Sequence, residues 1–403
     1  MIDFEYLSDI VQPTDSKIVM LVVDGLGGMP HPDHGRSELE EADLPNLDKL
    51  ASESSCGLTI PVLPGVAPGS GPGHLGLFGY DPVKYLMGRG VLEALGIGLT
   101  LGEGEIAARG NLCTVDDQGI LTDRRAGRIP TSESTPLAEM LDQIEVDGAQ
   151  ISVYPVEGYR FALVIKGEGL SDNVSETDPQ RTGVAPLKSQ SIDGDAASKR
   201  TAQVINEFVA KAAEILGGRD RANMVMLRGF SLMPELPSFG EQFQLNPAAI
   251  AAYPMYRGLA STIGLKIIPT GRTFDEEVQT LREHYEEHNF FYIHYKPADA
   301  AGEDGDFLGK ARALEALDQS LPPLLELAPD VLVVAGDHST PAVLAAHSWH
   351  PVPVLINSKW THGTGSRAFS ERECATGALG TFYAKHLMFQ ALAHADKLIK
   401  FGP

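Results

Sequence analysis

Three short apolar runs, residues 17–23 (KIVMLVV), 290–295 (FFYIHY) and 331–336 (VLVVAG), each lead within a few positions to an aspartate: Asp24, Asp299 and Asp337. None of the runs alternates polar with apolar residues, so each reads as a strand covered on both faces, as in a parallel sheet flanked by helices. A further run, 351–357 (PVPVLIN), and intervening helical stretches such as FLGKARALEALDQSLPPLLEL extend the succession of strand and helix. That succession predicts an α/β fold built on a doubly wound, mostly parallel sheet. Ligands of such sheets bind beyond the carboxyl ends of the strands, which is where the three aspartates fall.

The middle of the chain has another character. Between about residues 105 and 244 charged and turn-forming residues are dense, and arginines recur at 109, 124, 125, 128, 160 and 181. We read residues 106–249 as an inserted smaller α+β domain, with 1–105 and 250–403 forming the sheet domain. A chain of 403 residues accommodates both.

The formal charge of −22 argues against nucleic-acid or anionic-membrane partners, which require a basic face. A small anionic substrate stays admissible where arginines and metal ions gather locally. The three cysteines, Cys56, Cys113 and Cys374, are far apart and form no CxxC pair, so neither a disulfide framework nor a thiolate zinc site is expected. A cytoplasmic setting fits this usage. The N-terminal segment carries acids and no long apolar stretch, so no signal peptide is expected, and the longest apolar runs are too short to span a membrane.

An aspartate at a strand end is ordinarily a turn former or a helix cap. Several carboxylates converging with His338 and His347 at one sheet edge are different, because a buried acid cluster requires cations to neutralise it. Oxygen and imidazole ligands without thiolate suit Mn²⁺, Mg²⁺ or Zn²⁺, and the ligand count favours two ions. Ser70, in PGSGPGH, is the candidate nucleophile: metal coordination can activate its hydroxyl, and the neighbouring glycines let a phosphate approach the backbone. The following HLGLF is positioned to start a helix facing that anion. No Walker A loop is present, and DGLGG at 24–28 lacks dinucleotide-binding spacing.

These residues resemble the alkaline-phosphatase superfamily and, within it, the archaeal-type cofactor-independent phosphoglycerate mutases, a group that also occurs in bacteria. The similarity runs over nearly the whole chain, through VVDGLGG, LPNLDKLA, PGSGPGHLGLFGYDP, GRGVLEALG, ARGNLCTVD, DRRAGRI, YRFALVIKG, SETDP, YRGLA, DAAGEDGD, GDHSTP and HSWHPVPVLI. The resemblance implies an alkaline-phosphatase-like fold and interconversion of 3- and 2-phosphoglycerate through a phosphorylated Ser70, without 2,3-bisphosphoglycerate. It implies one metal on Asp24, Ser70, Asp337 and His338 and another on Asp299, Glu303 and His347. Glu303 departs from the usual DxxxH pattern of such proteins; a glutamate there adds negative charge and favours a hard ion such as Mg²⁺ or Mn²⁺. It further implies that Arg109, Arg125, Arg128, Arg160 and Arg257 hold the substrate, with Asp178 or Asp123 transferring protons. The insertion would shield phosphoserine from water. The rival readings are a phosphatase or phosphodiesterase with the same metal core and a non-catalytic relative. The role of His350 and a homo-oligomeric state are left open, and the apolar face of GRGVLEALGIGL reads as core before subunit contact.

Overall fold

The computed structural model describes residues 2–361 and 366–403. The chain divides into two compact units, Met1–Leu86 with Glu235–Pro403, and Met87–Pro234. The insertion therefore begins and ends earlier than the expected 106 and 249. At its start, the helix Arg89–Gly96 packs on the strand that follows, and a Cβ added to Gly90 would stand 2.1 Å from the Ala107 carbonyl oxygen. At its end, Phe239 and Phe243 are buried in the larger unit, where the Tyr80 hydroxyl donates to the Pro237 carbonyl at 2.6 Å. Turn-rich composition marks the interior of the insertion, whereas its edges are set by which apolar side chains each segment buries.

In chain order the first strands are β1 (Ile18–Val23) and β2 (Ser55–Ile60). The insertion supplies β3 (Glu105–Val115), β4 (Leu121–Asp123), β5 (Gln150–Pro155), β6 (Arg160–Lys166) and β7 (Met224–Leu232). The chain then returns with β8 (Pro247–Ile250), β9 (Lys266–Ile267), β10 (Phe290–Tyr295), β11 (Val331–Ala335), β12 (Val352–Ser358) and β13 (Gly380–Tyr383). Among the described residues the larger sheet has the order β13-β2-β12-β11-β1-β10-β8-β9. Its neighbours are parallel except where β12 meets β11 and β2, so the sheet is mostly parallel, as expected.

Every residue of β1, β10 and β11 is buried, which is why these runs show no alternation. Each such Val, Leu or Ile contributes roughly 1.5–3 kcal/mol by leaving water. The run PVPVLIN does form a strand, β12, but it runs against its neighbours. The chain leaving β11 turns back over residues 336–351 without a crossover helix. Asp337 and His338, which leave β11, and His347, which precedes β12, consequently share one edge of the sheet.

The insertion's sheet is antiparallel, in the order β4-β3-β6-β5 with β7 also paired to β3. Ile106, Ala108, Leu112, Phe161, Leu163, Val225 and Leu227 face a core shared with the helices Thr131–Leu141 and Ala196–Leu216. The alternate residues, Arg109 and Asn111 among them, point to the opposite face. Among the described residues no helix is long and apolar enough to cross a membrane.

Candidate functional site

Asp24 follows β1, Asp337 and His338 follow β11, and Asp299 lies in the helix Pro297–Glu303 that follows β10. All four side chains are fully buried. Ser70 stands at the first position of the helix Ser70–Leu77, which starts four residues before the expected HLGLF. Proline and glycine are tolerated in a first turn, where amide groups have no helical partner. Gly73 lets this helix meet the β11 loop, since a Cβ there would be 2.3 Å from the Asp337 carbonyl oxygen.

Two groups can hold a cation: Asp24, Asp337 and His338, and Asp299, His338 and His347, with each group's ligand atoms lying within 4.8 Å of one another. His338 Nε2 is 3.2 Å from Ser70 Oγ, 3.3 Å from Asp24 Oδ1 and 3.2 Å from Asp337 Oδ2. Its tautomer follows from the hydrogen bonds. Thr340 donates its hydroxyl proton to Asp299 at 2.6 Å, so at 2.9 Å it accepts from His338 Nδ1, leaving the lone pair on Nε2. His347 likewise donates Nδ1–H to the Pro68 carbonyl at 2.9 Å and turns Nε2 toward Asp299 (3.5 Å) and Glu303 (3.4 Å). The two imidazoles stack at 3.7 Å.

Among the described residues, Asp24 Oδ1 and Asp337 Oδ2 are buried and lack hydrogen-bond partners, with His74 Nδ1 lying 3.2 Å from Asp337 Oδ2. Two orphaned carboxylate oxygens beside an imidazole lone pair are a donor set that fits a divalent cation. Burial acts to raise the Asp24 carboxyl, but the His294 hydrogen bond and the charge of Lys296 overcome it and hold it well below the usual carboxylate range. Burial pushes His338 down, against the pull of Asp337 and Asp24, which favours the neutral imidazole. Burial would also lower His347, yet the Glu303 hydrogen bond and the Pro68 carbonyl prevail and push it up to about 9. The His347 hydrogen bond in turn lowers Glu303. Glu303, whose side chain is half exposed, thus approaches the second group through His347.

Glu277 behaves in the opposite way. It is buried, its Oε1 accepts from the Ala252 amide at 2.7 Å, and its Oε2 has no partner. Burial pushes this carboxyl up to about 8.

Several site residues went unnoticed in the sequence. Asp24 Oδ2 accepts from the Tyr256 hydroxyl and from His294 Nε2 (3.2 Å), and it pairs with Lys296 Nζ at 3.2 Å. Lys296 also bonds Asp299. His294 sits inside an apolar strand and Tyr256 inside YRGLA, where both read as core; the only signal was an imidazole in an otherwise apolar run. His74 donates Nδ1–H to the Ser70 carbonyl at 2.8 Å. Behind the site, the fully buried Lys310 donates to the carbonyls of Gly27 and Thr340, both at 2.9 Å. Glu371 accepts from the Gly28 amide at 2.7 Å and Glu38 from the Ala342 amide at 2.6 Å. These three side chains tie the loops after β1 and β11 together. His350 bonds Ser348 at 3.0 Å and belongs to neither cation group.

In the insertion, Arg109 and Arg160 come together around Glu93, at 3.7 and 3.6 Å. Arg125 and Arg128 are exposed. Asp178 is buried and takes a two-point contact from Arg124, at 2.7 and 3.2 Å, while Asp123 accepts from the amides of Arg125 (2.8 Å) and Gly127 (2.6 Å). Asp178 is therefore an arginine anchor and Asp123 a turn former in this conformation. Arg257 belongs to the larger unit and donates to the Ala251 carbonyl at 3.1 Å and to that of Ala252.

Residues 51–220 match the family model described as 2,3-bisphosphoglycerate-independent phosphoglycerate mutase. A probable 2,3-bisphosphoglycerate-independent phosphoglycerate mutase of Thermotoga petrophila is 49% identical over 400 residues, 99% of this chain and 98% of that one. A probable enzyme of the same description from Thermus thermophilus is 47% identical over 404 residues, covering 99% of each chain. Among solved structures, a Pyrococcus horikoshii protein superposes with a TM-score of 0.82 at 28% identity, over 96% of this chain and 99% of that one. The cofactor-independent phosphoglycerate mutase of Thermoplasma acidophilum does so with a TM-score of 0.71 at 27% identity, over 94% and 100%.

Proposed function

The chain belongs to the 2,3-bisphosphoglycerate-independent phosphoglycerate mutases, which are isomerases, and we propose that it interconverts 3-phosphoglycerate and 2-phosphoglycerate through a phosphorylated Ser70. The observation that carries this reading is the position of Ser70 Oγ, 3.2 Å from His338 Nε2, which itself lies 3.3 Å from Asp24 Oδ1 and 3.2 Å from Asp337 Oδ2. Divalent cations, one on Asp24, Asp337, His338 and Ser70 and one on Asp299, His347 and Glu303, would lower the pKa of the serine hydroxyl and offset the charge of the transferring phosphoryl group.

Ser70 attacks phosphorus in line; the Ser70 Oγ–P bond forms and the bond from phosphorus to the C3 oxygen of glycerate breaks. The departing oxygen takes up a proton. Glycerate then turns, its C2 hydroxyl gives up a proton and attacks phosphoserine, and Ser70 is released. Ser70 and the C2 hydroxyl each give up a proton on attack, and the C3 oxygen and the released Ser70 each take one up, so the cycle consumes no base. The first-turn amides of the Ser70 helix favour the phosphoryl anion, and Lys296 adds a positive charge beside Asp24 and Asp299. Holding glycerate falls to the arginines of the insertion, with Arg109 and Arg160 leading. Its retention is what separates a mutase from a phosphatase, because phosphoserine open to water would hydrolyse.

The test uses isotopically labelled phosphoglycerate, acid quench and peptide mapping. Label on Ser70, and loss of at least about 10³-fold of mutase activity in Ser70→Ala, are expected. An unlabelled serine, or an active Ser70→Ala enzyme, sinks the route. Release of inorganic phosphate as fast as isomerisation would instead make the protein a hydrolase.

A further inference from the structure

The motif GRGVLEALG does more than supply core. It forms the helix Arg89–Gly96, which buries Gly90, Val91, Ala94 and Leu95. It lies close to the sheet because a Cβ at Gly88 would meet Ser231 Oγ at 2.2 Å and one at Gly90 would meet the Ala107 carbonyl oxygen at 2.1 Å. That approach sets Glu93 over the sheet face opposite the insertion's core.

On this face Arg109 of β3 stands directly across from Arg228 of β7, and Asn111 of β3 from Arg160 of β6. Like charges placed opposite one another on neighbouring strands repel. Arg124 resolves its own charge by a closed, two-point contact with Asp178. Arg109 and Arg160 are treated differently. Glu93 reaches them at 3.7 and 3.6 Å, too far for hydrogen bonds. Glu93 Oε1, Arg109 Nε, Arg228 Nε and Asn111 Oδ1 are all buried and without hydrogen-bond partners. The face is balanced in part by charge, with Arg228 Nη1 also 3.9 Å from Asp178, and the Arg160 Nε–H is spent on the Glu157 carbonyl at 3.2 Å, yet the Nε–H donors of Arg109 and Arg228 are unspent.

We propose that Glu93 is a positioning residue that draws Arg109 and Arg160 together by charge, leaving the Arg109 Nε–H and the terminal N–H groups of Arg160, whose Nε is spent on the Glu157 carbonyl, for a carboxylate or phosphate of the substrate. This rests on the reading that the arginine face binds phosphoglycerate. A residue that merely stabilises the fold would weaken every ligand when removed. A charge that both fixes and competes for the arginines has another signature: its removal loosens their geometry, which harms a substrate gripped at two points, and raises the local positive potential, which favours a simple anion.

In the full-length, metal-loaded enzyme, Glu93→Gln is therefore expected to raise KM for 3-phosphoglycerate by about tenfold, while inhibition by inorganic phosphate strengthens about threefold. Glu93→Asp, which keeps the charge, is expected to retain wild-type phosphate inhibition, and it carries the test should Glu93→Gln fail to fold. KM and the phosphate inhibition constant moving in the same direction, or neither moving, overturns the proposal. So does loss of wild-type phosphate inhibition in Glu93→Asp. Arg109→Ala separates the two levels: a raised KM there with no effect of Glu93→Gln removes only the role of Glu93, whereas an unchanged KM removes the binding face and the proposal with it.

Discussion

Among the described residues, Asp24 and Asp337 at the edge of the larger sheet each keep a buried oxygen without a hydrogen-bond partner, and Arg109 and Arg228 on the open face of the smaller sheet each keep a buried Nε without one. The signs are opposite and the architecture differs in the same sense. Parallel strands deliver acids and imidazoles from separate crossovers to one edge, where they converge tightly enough to share cations. Antiparallel strands set arginines side by side across a face, Arg109 of β3 opposite Arg228 of β7. Glu277 shows the alternative within the larger unit: a buried carboxyl beside no adequate cation is pushed up to about 8 and keeps its proton, whereas Asp24 stays ionised.

The comparison breaks most readily at the acids. Exhaustive chelation is expected to reduce mutase activity by about 10³-fold, with recovery when a divalent ion is restored; a coupled enolase assay that found full activity after chelation would remove the cations. Arg109→Ala with Arg160→Ala should raise KM for phosphoglycerate by about 30-fold and leave metal content, read by atomic emission, unchanged. A fall in bound metal would mean that the two regions do not divide the labour in this way. Glu303→Ala is expected to weaken one of two bound ions by about tenfold in calorimetric titration, and Glu303→His to restore binding with a preference moved toward Zn²⁺. Two unaltered binding events would exclude Glu303 as a ligand.

The last effect is on stability rather than on activity or binding, and it concerns Glu277. Its folded pKa of about 8 lies above the ordinary 4.5, so its contribution to stability is complete below pH 4.5 and is lost as pH rises through about 8. Glu277→Gln should be more stable than wild type above pH 8, by about 2 kcal/mol, and should flatten the decline between those limits. Parallel melting profiles for the two proteins would show that Glu277 is already ionised.

The three central strands of the larger sheet could be read in advance because IVMLVV, FFYIHY and VLVVA are buried on both faces and carry no polar interruption except His294, whereas β2, β8, β9 and β13 were not read. Strand direction was not legible, since PVPVLIN has the same composition whichever way it runs. Asp24, Ser70, Asp337, His338, Asp299 and His347 could be singled out by their positions after strands and by motif, and the structure gathers them. Tyr256, His294 and Lys310 could not, because a hydroxyl, an imidazole or an ammonium within a buried element looks like core until its partner is known. Glu93 was hidden for the same reason, in a motif whose apolar residues dominate. The assigned proton-transfer role of Asp178 and Asp123 came from resemblance; contacts with Arg124 and with local amides are invisible without coordinates.

The two sheets also differ in when they can exist. All five strands of the insertion are complete once residue 232 has been made, but β1, in the middle of the larger sheet, pairs through Ile18 with Phe290 and Val331. On the ribosome the smaller unit can fold while β1 still waits, both of its edges open and its apolar side chains without cover. The N-terminal strand that ends in Asp24 is thus the segment of a half-made chain most in need of a chaperone.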